Sequence, residues 1–197
     1  MSLDELDQSH IRKTYTKLNQ SFIESWTIPE YICDDILQYY KDNTELHMKG
    51  VTLSQTGAES KDKDSTDVIV NSSNFDKPFY DYRHALQQCL DSYVETFPML
   101  MNVARFNVVE PYNIQHYSVS GGFKSIHCER DGHLGKNIRR CLAFMTYLND
   151  VDDGGTEFIH QNRLVKAIKG KTLIWPSDWT HAHVGQISHT KEKPIVT

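Results

Sequence analysis

The feature that most limits the fold is a nearly continuous apolar run, Cys141–Leu148, in the second half of the chain. An apolar run of this length between polar turns is typical of a strand that is buried on both faces. Many short segments of this kind, separated by turn residues, predict a β-sandwich or barrel. The neighbouring segments with strand character are Ile114–Val119, Phe123–Glu129, Thr156–His160, Leu164–Ile168, Thr172–Trp175, His181–Gly185 and Lys193–Thr197.

Two stretches with helical periodicity precede these strands. Apolar residues recur at helical spacing over Ile28–Lys41, where Pro29 suits the first turn of a helix. A second stripe covers Phe79–Phe97 and is ended by Pro98. The expected fold class is therefore mainly β with helices packed on one sheet. Minor elements are expected at His10–Leu18 (a short helix), Ser21–Thr27 and Val68–Val70 (strands), and Asn149–Gly155 (a turn).

Length and charge restrict the classes of protein to which the chain can belong. With 197 residues, a single domain over residues 1–197 is expected, with a helical support region over about 1–100. The net charge of −5 gives no reason to expect a nucleic-acid partner, and no apolar run is long enough to span a membrane. The acidic N-terminus does not resemble a signal peptide. Four cysteines without CxxC pairing indicate reduced thiols and a cytoplasmic protein.

A dense run of charges, Glu59–Asp67, lies between the two helical stripes. Such a run is expected to be a solvated loop. The functional alternative is a mobile loop beside the mouth of a site.

His127 and Glu129 are the clearest candidates for metal ligands. They are two residues apart, so on a β-strand both side chains would lie on one face. The second imidazole would come from His181 or His183, and local spacing does not choose between them. Two histidines and one carboxylate form the facial triad of non-haem Fe(II) oxygenases, although zinc accepts the same ligands. Surface or capping roles are expected for the other histidines: His10, His47, His84, His116, His133, His160 and His189.

Longer motifs surround these residues in a fixed order. The first is Tyr117-Ser-Val-Ser-Gly-Gly-Phe-Lys-Ser-Ile-His127-Cys-Glu129, followed by Arg140-Cys-Leu-Ala-Phe-Met-Thr-Tyr147-Leu-Asn-Asp150 and Gly154-Gly155-Thr-Glu-Phe158. Next come Lys171-Thr-Leu-Ile-Trp-Pro176-Ser-Asp-Trp-Thr-His-Ala-His183 and, last, Lys193. In this order the motifs closely resemble the prolyl 4-hydroxylase family of 2-oxoglutarate- and Fe(II)-dependent dioxygenases, particularly its short bacterial and phage forms. The resemblance covers residues 112–197 in detail.

The resemblance implies a double-stranded β-helix, a cupin-like jelly-roll, as the catalytic core over about residues 105–197. The family places its 2-oxoglutarate-binding lysine or arginine ten residues after the distal histidine. Lys193 is ten residues after His183, which makes His183 the implied ligand rather than His181. Tyr147 matches the tyrosine that binds the far carboxylate of 2-oxoglutarate, and Tyr117 matches a tyrosine that lines the pocket.

The chain departs from the family pattern at two places. The usual proximal motif is HxD, whereas here it is His127-Cys-Glu129, and Asp131 is the alternative carboxylate. The chain also stops four residues after Lys193, where the family continues with a few more residues that include a tryptophan.

The implied activity is hydroxylation of prolyl residues in a peptide or protein, with release of succinate and CO2. His127, Glu129 and His183 would hold Fe(II), with 2-oxoglutarate and O2 as co-substrates and ascorbate as a candidate further cofactor. The alternatives are a hydroxylase of a small molecule or non-prolyl residue, and a metal-binding jelly-roll without turnover. No oligomeric state is implied, and for a phage-encoded chain the compartment would be the host cytoplasm. Candidate substrate contacts beside the motifs are Arg139, Arg140 and Trp179.

Overall fold

The computed structural model describes residues 21–52, 61–103, 105–130 and 137–197. The short helix predicted around His10–Leu18 lies outside these ranges, as does Asp131. None of the helices in the described ranges is both long and apolar enough to cross a membrane.

Both predicted helices are confirmed. Helix α1, Glu30–Asp42, begins directly after Pro29, and helix α2, Phe79–Thr96, ends two residues before Pro98. A third helix of one turn, α3, covers Leu100–Val103. The two long helices bury one apolar stripe each: Ile32, Cys33, Ile36 and Tyr40 in α1, and Phe79, Tyr82, Ala85, Leu86, Cys89 and Tyr93 in α2.

The described residues form twelve strands, and every pairing between them is antiparallel. Their bounds are β1 Glu24–Thr27, β2 Met48–Lys49, β3 Lys63–Asp64, β4 Thr66–Val70, β5 Tyr112–Tyr117, β6 Gly122–Phe123, β7 Leu142–Tyr147, β8 Val151–Phe158, β9 Arg163–Ala167, β10 Lys171–Pro176, β11 His183–Gly185 and β12 Lys193–Val196. The large sheet has the order β1-β10-β7-β12-β5-β4-β2, and the small sheet has the order β11-β8-β9. Strands β3 and β6 form a separate pair. The chain therefore has the expected mainly β architecture with a jelly-roll core.

Alternation along the central strands divides the large sheet into two faces. On β7, Ala143, Met145 and Tyr147 pack toward the small sheet, whereas Leu142 and Phe144 pack toward the helices. Successive side chains of a strand point to opposite faces, so Lys193 lies on the same face of β12 as the inward-facing Ile195. The space between the two sheets is thus the place where the second half of the chain can build a pocket.

The predicted strand Phe123–Glu129 is wrong in its extent. Only Gly122–Phe123 belongs to a strand, and His127 forms an isolated bridge with His183. The reason is that the backbone of this segment bonds to a different partner every few residues instead of following one ladder. These bonds run from Lys124 N to Asp62 O, from His127 N to His183 O and from Arg130 N to Ser177 O.

The last predicted β-segment before Lys193 is also shorter than expected. Residues Trp179–His181 form a 3-10 turn, and β11 begins only at His183. The side chain of His181 lies with its Nε2 2.9 Å from the carbonyl oxygen of Ser21. His181 and His183 therefore do not lie on one face of a strand, which the predicted strand His181–Gly185 would have required.

Two predictions about loops are wrong. The described part of the charged run is not a solvated loop, because Lys63 and Asp67 are buried on β3 and β4 and form an ion pair of 2.7 Å. The hydroxyl of Ser65 donates to the other oxygen of Asp67, so this carboxylate is bonded on both sides. The predicted turn Asn149–Gly155 is mostly strand, since β8 already begins at Val151. A register shift between Val151 and Thr156 accommodates the glycines there.

Candidate active site

His127 and His183 face each other across the isolated bridge, and their ring centroids are 4.5 Å apart. The Nδ1 atom of His127 is 2.9 Å from the carbonyl oxygen of Ser125, and that of His183 is 2.9 Å from the carbonyl oxygen of His181. A carbonyl only accepts hydrogen bonds, so each Nδ1 carries the proton. In the neutral imidazoles each Nε2 therefore keeps its lone pair for a metal, and such outer hydrogen bonds are the usual means of orienting metal-binding histidines.

Glu129 completes a group of three potential metal ligands. Its Oε1 atom is 3.6 Å from the Nε2 of His127 and 3.6 Å from the Nε2 of His183. The ligand atoms of the three residues all lie within 4.8 Å of one another. Burial raises the pKa of Glu129, but in the metal-free protein hydrogen bonds and charge from the two imidazoles in their protonated form outweigh this and hold the pKa well below its usual range. A bound cation would replace the two Nε2 protons in this role. The carboxylate is thus ionised, which is the form that binds a cation.

The second oxygen of Glu129 is held by Arg140. The Nη1 of Arg140 lies 3.4 Å from Oε2 of Glu129 and 3.3 Å from its backbone oxygen. The same guanidinium binds Glu110, with Nη2 at 2.7 Å from its Oε2. Arg140 had been predicted as a candidate substrate contact, and in the structure it forms an ion pair with Glu129, one of the three potential metal ligands. Glu110 was not singled out in the sequence, because it lies 19 residues before Glu129 and outside every motif.

Lys193 is buried at the edge of the same space. Only 5% of its surface is exposed, and its ammonium donates to the carbonyl oxygen of Gln186. Among the described residues, no carboxylate forms a salt bridge with it. Burial lowers the pKa of Lys193 to about 8, and the more distant charge of Asp153 offsets this only in part. A Cβ at Gly154 would lie 2.5 Å from the Cγ1 of Val151 and 3.1 Å from the Cδ of Lys193, so this glycine makes room for both side chains.

Two tyrosines accompany Lys193 on the inner face of the large sheet. Tyr117 is directly opposite Lys193 in the register of β5 and β12, and the ammonium lies 5.4 Å from the centre of its ring. The hydroxyl of Tyr117 donates to the Oε1 of Gln115 at 2.7 Å. The hydroxyl of Tyr147 donates to the Oγ1 of Thr156 at 2.6 Å. Both hydroxyls are thereby held in defined orientations.

One cavity of about 250 Å3 brings these groups together. All six residues that were predicted to bind the metal or co-substrate line it: Tyr117, His127, Glu129, Tyr147, His183 and Lys193. Arg140 also lines the cavity, whereas Arg139 and Trp179 do not. Trp179 is 67% exposed and packs edge-to-face on His160.

Sequence reasoning missed further lining residues, notably Lys63, Gln115, Thr156 and Trp175. Alternation along the strands could have identified Gln115, which shares a face with Tyr117, and Trp175, which shares a face with Leu173. No local signal marked Lys63, because it was part of a charged run typical of loops.

A larger cavity, about 890 Å3, lies along α2 and residues 105–108. None of the residues predicted for the site lines it. Within the described ranges, the group His127, Glu129 and His183 is the only cluster of three potential metal ligands, and it lies in the smaller cavity. The smaller cavity is therefore the candidate active site.

Solved structures with the same architecture cover nearly the whole chain. A prolyl hydroxylase from Trichoplax adhaerens, in complex with a peptide fragment of the hypoxia-inducible factor oxygen degradation domain, has a TM-score of 0.65 and 16% identity. The match covers 100% of this chain and 91% of that one. The fold is that of the prolyl hydroxylases.

Two microbial structures agree with this assignment of the fold. A prolyl-4-hydroxylase from Pseudomonas putida has a TM-score of 0.65 and 12% identity, and the match covers 92% of each chain. The viral collagen prolyl hydroxylase of Paramecium bursaria Chlorella virus-1, in its 2OG complex, has a TM-score of 0.61 and 15% identity. That match covers 89% of this chain and 93% of the viral one. No protein-family model matches the sequence, and neither does any curated protein sequence.

Proposed function

We propose that the chain is an Fe(II)- and 2-oxoglutarate-dependent hydroxylase that acts on prolyl residues of a peptide or protein. One observation carries this proposal. The ammonium of Lys193 is buried in the cavity that holds the three potential metal ligands, and no described carboxylate pairs with it. A buried charge without a partner is costly, so a ligand that brings an anionic group into this cavity would be strongly favoured.

The residues of the site fit an iron ion. Two imidazoles with free Nε2 atoms and one ionised carboxylate are the ligands that non-haem Fe(II) oxygenases use. His127, Glu129 and His183 would hold the iron, which supplies the activation of O2. A metal-binding protein without turnover would have no use for a buried lysine elsewhere in the same cavity.

The protein residues have separate tasks at the co-substrate. Lys193 binds the carboxylate of 2-oxoglutarate that is remote from the metal, and the hydroxyl of Tyr147 adds a hydrogen bond to it. Tyr147 has a single hydroxyl proton, so this bond would replace the one to Thr156, whose own hydroxyl can then donate to the Tyr147 oxygen; Arg140 holds the second oxygen of Glu129. Tyr117 closes the cavity beside Lys193 and contributes its ring to the cation. Together these contacts would hold the co-substrate; its oxidative decarboxylation by O2 would give succinate and CO2, with one oxygen atom of O2 entering succinate and the other the hydroxyl group of the peptide.

Two observations support a peptide substrate. The Trichoplax adhaerens structure holds a peptide, and apolar side chains lie exposed on the segments that carry the ligands of this chain. Ile126, next to His127, is 60% exposed, and Trp179, four residues before His183, is 67% exposed. A peptide that approaches the metal ligands along these segments would meet both side chains.

The test begins with anaerobic titration of Fe(II) and 2-oxoglutarate, followed by addition of O2 and a panel of proline-containing peptides. Each peptide is paired with a control in which alanine replaces the proline. We expect succinate release that depends on the proline peptide, with one oxygen atom added to that peptide by mass spectrometry. Equal succinate release with both members of every pair would contradict the prolyl assignment, and absence of 2-oxoglutarate binding would contradict the dioxygenase assignment itself.

A further inference from the structure

Trp175 carries a buried hydrogen-bond donor that has no acceptor among the described residues. The side chain is 2% exposed and lines the candidate active site. Its ring packs edge-to-face on Phe158 at 5.4 Å and on His183 at 5.2 Å between ring centroids. The indole Nε1 is fully covered, and no described protein atom accepts its proton.

This arrangement is unusual for a side chain whose only role is packing. Buried indole N–H groups normally find a partner, because an unsatisfied buried donor loses its hydrogen bonds to water without replacement. Trp26 shows the ordinary case in the same protein, since its Nε1 donates to the hydroxyl of Ser92 at 3.2 Å. A phenylalanine at position 175 would fill much of the same space without a donor to satisfy. Because Nε1 is covered, an acceptor in the cavity can reach it only when the ring rotates or a neighbouring side chain moves, and the N–H is explained by an acceptor that enters the cavity with such a movement.

We propose that Trp175 is a co-substrate-binding residue, and that its indole N–H donates a hydrogen bond to an oxygen of the dicarboxylate held between the metal group and Lys193. This inference rests on the proposed function, because it takes 2-oxoglutarate as the occupant of the cavity. A carboxylate oxygen is the strongest acceptor that such a ligand offers, and hydrogen bonds to ionised acceptors are about twice as strong as neutral ones. The contact of the same ring with His183 would couple co-substrate binding to the orientation of a metal ligand.

The chain allows a direct test by NMR of its three indole N–H groups, in Trp26, Trp175 and Trp179. Zn(II) replaces Fe(II) so that the protein is diamagnetic, and 2-oxoglutarate is added to the 15N-labelled protein. We expect the indole resonance of Trp175, assigned by its loss in Trp175→Phe, to move downfield, as a new hydrogen bond to a carboxylate requires. The other two indole resonances are internal controls and should change little. Trp26 already donates to Ser92, and Trp179 is exposed to solvent.

The outcomes separate this inference from the proposed function. If 2-oxoglutarate binds to the Zn(II) protein and the Trp175 resonance does not move, the role of Trp175 is wrong and the dioxygenase proposal stands. The same result would follow if an ordered water, rather than the co-substrate, were the acceptor. If 2-oxoglutarate does not bind at all, the proposed function fails and this inference fails with it.

A variant gives a second, quantitative measurement. Trp175→Phe should weaken 2-oxoglutarate binding by roughly 10- to 100-fold, the range for loss of one hydrogen bond to a charged group. Its affinity for Zn(II) alone should change much less, because the three metal ligands are intact. The matched control is Trp26→Phe, which removes an indole N–H outside the cavity and should leave 2-oxoglutarate binding unchanged. Binding by Trp175→Phe within twofold of the parent protein would overturn the inference.

Discussion

The backbones of His127 and His183 are joined by a reciprocal pair of hydrogen bonds, 3.0 Å from His127 N to His183 O and 2.9 Å from His183 N to His127 O. Two residues that are 56 positions apart are thereby fixed face to face without a regular strand on the His127 side. This backbone contact sets the distance between the two histidine rings. Glu129, two residues after His127, lies close to the Nε2 atoms of both. The geometry of the candidate metal site therefore depends on this one backbone contact between two distant segments of the chain.

The first prediction concerns the two imidazoles. Loss of a residue that only orients a metal ligand typically lowers metal affinity by roughly 10- to 100-fold. His127→Ala and His183→Ala remove ligands themselves, so each should reduce Fe(II) affinity by more than this. His181→Ala is the matched control, because His181 faces Ser21 and is absent from the metal group. Anaerobic equilibrium dialysis with Fe(II) measures all three variants. A stronger loss in His181→Ala than in His183→Ala would show that the assignment of the distal ligand is wrong.

The second prediction concerns the support of Glu129. Arg140→Gln removes the charge that holds Oε2 of Glu129, so the carboxylate should become free to rotate and Fe(II) affinity should fall by about 10- to 100-fold. Arg139→Gln removes a charge from the adjacent, exposed residue and should have little effect. Isothermal titration of metal into the two variants compares them directly. If both variants bind metal equally well, Arg140 does not position the ligand.

The third prediction concerns the buried ion pair of Lys63 and Asp67. Asp67→Ala leaves the ammonium of Lys63 buried without its partner, so it should lower the free energy of unfolding by about 3–5 kcal/mol. Lys77 and Asp81 have the same spacing in the chain, but the Lys77 side chain is 73% exposed, and Asp81→Ala should have a much smaller effect. Urea unfolding of both variants provides the comparison. Similar losses of stability would mean that the burial of the Lys63 pair has no energetic consequence.

The fourth prediction is a pH dependence of co-substrate binding. Burial lowers the pKa of Lys193 to about 8 in the free protein, and the carboxylate of a bound 2-oxoglutarate would raise it again. Affinity should then be fully present below pH 8 and should fall as the pH rises through this value, by up to about tenfold per pH unit. Lys193→Arg does not titrate in this range, so its affinity should vary much less between pH 7 and 9. Parallel profiles in the two proteins would contradict a role for the Lys193 charge.

The sequence was most informative where regular periodicity determines structure. The stripes of α1 and α2 and the apolar run of β7 were predicted correctly, because burial of one face imposes a pattern that is visible locally. The extent of the strand around His127 was predicted wrongly, because the backbone of this segment bonds to three separate parts of the chain. Local patterns carry no information about such partners.

The candidate site shows the same division. The candidate metal and co-substrate residues stood out by ligand type and by the order of the motifs, and the structure places them around one cavity. Glu110, Lys63 and Trp175 did not stand out, because their importance comes only from tertiary contacts. The charged run has the composition of a solvated loop, and only the tertiary structure shows that Lys63 is buried in an ion pair. The apolar surroundings of Trp175 indicate a core residue, and only the structure shows that its N–H lacks an acceptor among the described residues.

The most direct test of the account is the affinity of the anaerobic Fe(II) protein for 2-oxoglutarate in Lys193→Ala, followed through the metal-to-ligand charge-transfer absorption. Loss of one partner of a buried charge pair typically costs about 2–5 kcal/mol, so affinity should fall by roughly 30- to several-thousand-fold. Fe(II) affinity should be retained, Lys193→Arg should recover part of the loss, and Lys191→Ala, at an exposed lysine two residues away, should bind like the parent protein. Unchanged affinity in Lys193→Ala would contradict the assignment of the co-substrate, and with it the proposal that this cavity is the active site of a 2-oxoglutarate-dependent hydroxylase.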